Sequence, residues 1–75
     1  MRLNQLTPGQ RAQVLDLNLL SSAMRRKLLS VGVLPNTELQ LIRTAPFGSP
    51  LQLKAKGISF ALDLDQAKKI EVQAL

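Results

Sequence analysis

Asp63 and Asp65 stand two residues apart and are the nearest this chain comes to a catalytic or metal-binding pair. Two carboxylates at that spacing offer a weak oxygen site for a hard cation. The plainer role is the cap of a short helical turn and its solvated neighbour. The remaining carboxylates are Asp16, Glu38 and Glu71, and the chain has neither histidine nor cysteine. Lack of histidine removes the commonest general base and the commonest transition-metal ligand together. Lack of cysteine removes thiolate metal sites and disulfide staples. The serines and threonines therefore have no imidazole to activate them. Gly9, Gly32, Gly48 and Gly57 are scattered at turns and form no phosphate-binding motif. The expectation is a protein that is not an enzyme, with no cofactor and no bound metal.

The cations carry more information. Ten Lys and Arg against five acids give a net charge of +5 over 75 residues. That balance favours an acidic partner, which could be nucleic acid, an anionic lipid surface or an acidic protein face. A small basic β-barrel binding single-stranded nucleic acid is the alternative reading. Such proteins interleave cations with stacking aromatics. This chain has no Trp or Tyr, and its two aromatics are Phe47 and Phe60. Phe60 falls in an apolar alternation, which leaves Phe47 as the one candidate platform. Nucleic acid is therefore the less favoured partner.

The elements that position these residues follow from pattern. Thr7-Pro8-Gly9-Gln10 is a turn, with Pro8 presetting φ and Gly9 supplying the positive φ that follows. Arg11 to Leu17 reads as a strand with imperfect alternation: Ala12 and Val14 share one face, Leu15 and Leu17 the other. A bulge or two-sided burial accounts for that. Ser21 is an N-cap for a helix over Ala23 to Val31, and Gly32 takes the left-handed position that ends it. Arg25, Arg26 and Lys27 fall in its second half, where cations suit the negative end of the dipole.

Beyond the helix the period is two. Pro35-Asn36 turns the chain into the first of these strands. Leu39 and Leu41 share a face, as do Leu51, Leu53 and Ala55, then Ile58, Phe60, Leu62 and Leu64, then Ile70, Val72 and Ala74. Pro46, Gly48 and Pro50 make the longer loop from Ala45 to Pro50, and Lys56-Gly57 a tight reversal. Asp63 to Lys68 is one helical turn, capped by Asp63 or Asp65. The fold class is mainly β: one domain, 1–75, with a small five-stranded SH3-like barrel, an inserted helix, and a helical turn before the last strand.

At about 100° per residue, Leu20, Met24, Leu28 and Val31 form the core face of the helix, with Ala23 at its edge. Lys27 falls within that arc, its stem along apolar surface and its ammonium reaching water. Leu29 points away, flanked by Ser22, Arg25 and Arg26. A lone exposed leucine is ordinary. A leucine ringed by cations also suits a partner with an apolar pocket and an acidic rim.

Arg26-Lys27-Leu28-Leu29-x-x-Gly32-x-x-Pro35, Ala45-Pro46-x-Gly48-x-Pro50, Ser59-Phe60-Ala61-Leu62 and Ala67-x-x-Ile70-x-Val72 occur in this order and cover nearly the whole chain. Together they resemble the ferrous iron transport protein A (FeoA) family. The resemblance implies an SH3-like barrel in a small cytoplasmic accessory protein of bacterial ferrous iron uptake. It implies an interaction module for the membrane GTPase transporter FeoB, held at the inner face of the membrane through that partner. The family usually has glycine at Asn36, where asparagine holds the same turn, and a basic residue is common at Asp63. The candidate partner-binding residues are Ser22, Arg25, Arg26, Leu29 and Phe47. Weak self-association through an exposed strand edge is a third class. No apolar run reaches the length of about 20 residues that a membrane helix requires.

Overall fold

The computed structural model describes residues 1–75. Five strands form one antiparallel sheet: β1 (Arg11–Asp16), β2 (Glu38–Thr44), β3 (Leu51–Ala55), β4 (Ile58–Leu62) and β5 (Glu71–Ala74). Their order across the sheet is β4-β3-β2-β1-β5. Helix α1 (Ser22–Ser30) lies between β1 and β2 in the chain, and the single turn α2 (Leu64–Ala67) precedes β5. One core of 17 buried apolar residues draws on all five strands, α1, α2 and the N-terminal segment. A one-faced sheet whose two edge strands share a core must curl around it. The fold thus agrees with the five-stranded SH3-like reading.

The turns form as their residues dictate. Gly9 sits at φ 87°, and the Gln10 N–H reaches the Thr7 carbonyl at 3.0 Å. Asn36 takes φ 73° behind Pro35, closing a type II turn from the Thr37 N–H to the Leu34 carbonyl at 3.0 Å. Lys56 (φ 52°) and Gly57 (φ 80°) are both left-handed, which is a type I′ turn. It pairs Ala55 with Ile58 and sets the register of the β3–β4 hairpin.

The irregular first strand ends at Asp16 and carries the bulge. Its pairing with β5 slips by one between Val14 and Asp16. Leu15 is the extra residue and turns outward, while Ala12, Val14 and Leu17 are buried. The faces of β2 and β3 are as the alternation predicts. On β4 and β5 burial stops short: Ile58 and Ala74 are exposed. Both lie at the end of an edge strand, where the core no longer reaches.

Helix α1 begins at Ser22, one residue earlier than the propensities place it, with Ser21 as its N-cap: the Ser21 hydroxyl accepts the Met24 N–H at 3.1 Å. It ends in a Schellman motif. The Gly32 N–H donates to the Leu29 carbonyl at 3.0 Å and the Val33 N–H to the Leu28 carbonyl at 2.9 Å. Gly32 holds φ 87° there. Leu20 and Leu28 are buried, and Met24 and Val31 pack against the core, whereas Ala23 is exposed.

Two capping expectations change. Asp63 occupies the N-cap position of α2, but neither it nor Asp65 caps through its side chain. The Ser49 hydroxyl, from the β2–β3 loop, accepts the Leu64 N–H instead at 3.1 Å. Of the three helix cations only Lys27 lies in the last turn of α1. Arg25 turns the other way, its Nη1 donating to the Leu20 carbonyl at 3.0 Å and the Asn18 carbonyl at 3.4 Å. Its charge therefore ties the β1–α1 loop to the helix.

Candidate partner-binding groove

A surface groove of about 520 Å³ opens where three segments meet. The bulged end of β1 and the loop after it supply Leu15, Asp16, Leu17 and Asn18. Helix α1 supplies Ser22, Arg25, Arg26 and Leu29, and the α1–β2 loop supplies Val33, Leu34 and Pro35. The four helix residues expected at a partner surface thus share one wall. Phe47 lies outside the groove, in the β2–β3 loop.

Each segment delivers its leucine for a local reason. Leu29 is 52% exposed because it sits opposite the buried Leu28 face of α1. Leu15 is 43% exposed because it alternates with the inward-facing Val14, and the bulge beside it turns Leu17, not Leu15, into the core. Leu34 is 42% exposed because Gly32 reverses the chain and sends Val33, not Leu34, into the core. Three half-exposed leucines on one concavity form a contiguous apolar patch of a kind that marks interaction sites.

The rim is charged and partly fixed. Arg25 is half-buried and held by two carbonyls. Arg26 reaches the Ser22 carbonyl at 3.5 Å. Neither guanidinium has a carboxylate partner: the ion pairs are Met1 and Arg2 with Glu71, and Arg11 with Glu38. Asp16, on the opposite lip, accepts the Asn18 N–H at 2.6 Å and so shapes the loop. The sequence missed Leu15 and Leu34 as members of the site. The imperfect alternation of β1 was the only hint of the first.

Phe47 is fully exposed, at 104% of its reference surface, and adopts φ 70° in a type II turn behind Pro46. The Gly48 N–H closes that turn on the Ala45 carbonyl at 3.0 Å. A bulky L-residue in the left-handed region is uncommon. Phe60 packs partly against the core, so Phe47 is the one freely exposed ring. No three acidic side chains converge on a point, and no helix is long and apolar enough to cross a membrane.

The strand order, the helix between the first two strands and the single turn before the last define an SH3-like domain. The FeoA domain family matches residues 1–74, and the chain belongs to it. Among solved structures, the chain is similar to the FeoA protein of Chlorobium tepidum, with 31% identity and a TM-score of 0.94 over all of this chain and 70% of that one. It is similar to the FeoA of Stenotrophomonas maltophilia solved with zinc, at 28% identity and TM-score 0.82, covering 97% of this chain and 89% of that one. A manganese-dependent transcriptional repressor, 19% identical, shares the fold at TM-score 0.87, this chain spanning 41% of its length. The residues present here do not assemble a zinc site: the usual nitrogen and sulfur ligands are missing and the carboxylates stay apart.

Proposed function

We propose that this chain is a non-catalytic interaction module of bacterial ferrous iron uptake. It docks on the cytoplasmic side of the membrane GTPase transporter FeoB and works as a cytoplasmic protein held at the inner membrane face by that contact. Family membership supports the iron-uptake setting, and the Stenotrophomonas relative is described as an SH3 domain protein suggested to act as a bacterial ferrous iron transport activating factor. The observation that carries the docking site is the convergence of Leu15, Leu29 and Leu34 beside two arginines that lack carboxylate partners.

The energetics suit a protein partner. Covering the exposed half of each leucine is worth about 1 kcal/mol. The groove thus supplies about 3 kcal/mol before any ion pair forms. Arg25 is already oriented by backbone carbonyls, so a carboxylate meeting it costs little further side-chain ordering. The matching surface presents apolar side chains flanked by Asp or Glu. Phe47, outside the groove, offers a second, aromatic contact.

The test is capture of the transporter's soluble cytoplasmic domain by the immobilised chain. Leu29→Asp puts a carboxylate into the apolar floor and neutralises the arginine rim. It weakens capture by about 30-fold or more while costing the fold only about 1 kcal/mol, since Leu29 is outside the core and the loss comes from an acid in the last turn of α1. Equal capture by wild type and variant contradicts the groove. No capture by either contradicts direct binding to that domain.

A further inference from the structure

The two edges of the sheet are treated differently. The outer side of β5 is covered by the N-terminal segment: Val72 donates to the Met1 carbonyl at 2.8 Å, Leu3 to the Ile70 carbonyl at 2.9 Å, and Arg2 bridges to Glu71. The outer side of β4 has no backbone partner, and α1 stands beside only its C-terminal end, around Ala61 to Asp63. Edge strands are usually blunted by a charge, a proline or a bulge. Ile58-Ser59-Phe60-Ala61-Leu62 has none of these, and its pairing with β3 runs without a register slip.

The hairpin decides which groups face outward. A two-residue I′ turn makes Ala55 and Ile58 a hydrogen-bonded pair, so Ile58, Phe60 and Leu62 spend their backbone groups on β3. Ser59 and Ala61 point theirs away from the sheet. Their side chains lie on the outer face, while Ile58, Phe60 and Leu62 share the face of Leu51, Leu53 and Ala55.

We propose that a second copy of this chain pairs antiparallel with β4, giving a two-fold dimer with a continuous sheet. In an antiparallel pair only outward-facing residues can stand opposite each other across a narrow ring. The register using both of them sets Ser59 against the partner's Ala61, Ala61 against the partner's Ser59, and Phe60 against the partner's Phe60 on the axis. It also sets Ile58 beside the partner's Leu62. There a pocket of about 160 Å³ opens between the edge and α1, with Met24, Leu28, Val31 and Leu62 as its apolar wall and Lys27, Asp63 and Gln66 as its polar one. A volume of about 150 Å³ holds a benzene ring, so this one has room for an isoleucine side chain against its apolar wall. Ile58 is 47% exposed and free to enter it. Symmetry makes the exchange reciprocal. The ends of the ladder bring Lys56 of each copy near the partner's Asp63, opposite in charge. This surface is separate from the groove, so the dimer displays two grooves.

A five-residue ladder with one knob per side is smaller than a standard interface of about 1,600 Å², so the dimer is weak. Each copy carries +5, and salt that screens this repulsion tightens association. Sedimentation equilibrium at millimolar chain in half-molar salt shows a mass of twice 8.2 kDa for wild type. Ile58→Lys and Ala61→Pro each raise the dissociation constant by about tenfold or more. Ala61→Pro removes an outward N–H only, so the fold survives it; circular dichroism verifies this. Amide exchange at Ser59 and Ala61 slows as wild-type concentration rises. A wild type that stays monomeric under these conditions overturns the proposal. So does a dimer insensitive to both edge variants, or one abolished by Leu29→Asp.

Discussion

Leu29 and Phe47 are the two side chains whose positions are least explained by the fold itself. Leu29 gains nothing from the core, and its neighbours Arg25 and Arg26 meet carbonyls rather than carboxylates. Phe47 is exposed on every side and holds a conformation that suits glycine. A side chain kept in a costly conformation without packing in return points to a role outside the fold. Phe47→Gly is therefore expected to stabilise the chain by about 1 kcal/mol, since an L-residue in the left-handed region costs about that. Thermal unfolding reads the gain. The same variant weakens capture of the transporter domain, which a purely structural residue would not do. Asn36 is the contrasting case. It too is left-handed, but its short polar side chain tolerates φ 73° where a bulky side chain would not.

At the scale of elements, α1 depends on how it stops. Gly32 closes the Schellman motif at φ 87°, and a Cβ placed there would meet Lys56 Cδ at 3.4 Å. Gly32→Ala should cost about 1–2 kcal/mol, chiefly from the backbone, lowering the urea midpoint. It should also weaken capture, because Gly32 aims Leu34 into the groove. The β5 edge has its own electrostatic latch. Glu71 accepts a hydrogen bond from the Met1 ammonium at 2.8 Å, with Arg2 Nε at 3.2 Å. That hydrogen bond, and then the charges of Met1 and Arg2, hold its carboxyl below the ordinary 4.5. A carboxyl depressed in the folded state stabilises the fold fully above its unfolded value and loses that effect as pH falls through the folded one. The stability difference between wild type and Glu71→Gln should be constant from neutral pH down to the ordinary carboxylate range, then vanish below it. Denaturation midpoints across acid pH follow this directly.

For the whole molecule, what the sequence made legible was local. Strand faces, turn residues and the helix cap are set within a few positions, and period two with Pro, Gly and Asn at the reversals reveals them. Arg25, Arg26, Ser22 and Leu29 were visible as one helix face for the same reason. The rest depends on contacts between distant segments. The groove joins residues from positions 15 to 35, and Leu15 and Leu17, which plain alternation sets on one face, part company only because a bulge lies between Val14 and Asp16. Ser49 caps a helix 15 positions away, which no local pattern announces. Arg25 seeks loop carbonyls rather than the helix end because the β1–α1 loop passes beside it. The central claim is that this assembled groove, and no single element, meets the transporter. Titrating the isotope-labelled chain with the transporter's soluble cytoplasmic domain, and following backbone amide shifts, tests it most directly. The account predicts perturbations concentrated on three separate stretches at once, Leu15 to Asn18, Ser22 to Leu29, and Val33 with Leu34. Shifts confined elsewhere on the sheet, or none at saturating domain, would contradict it.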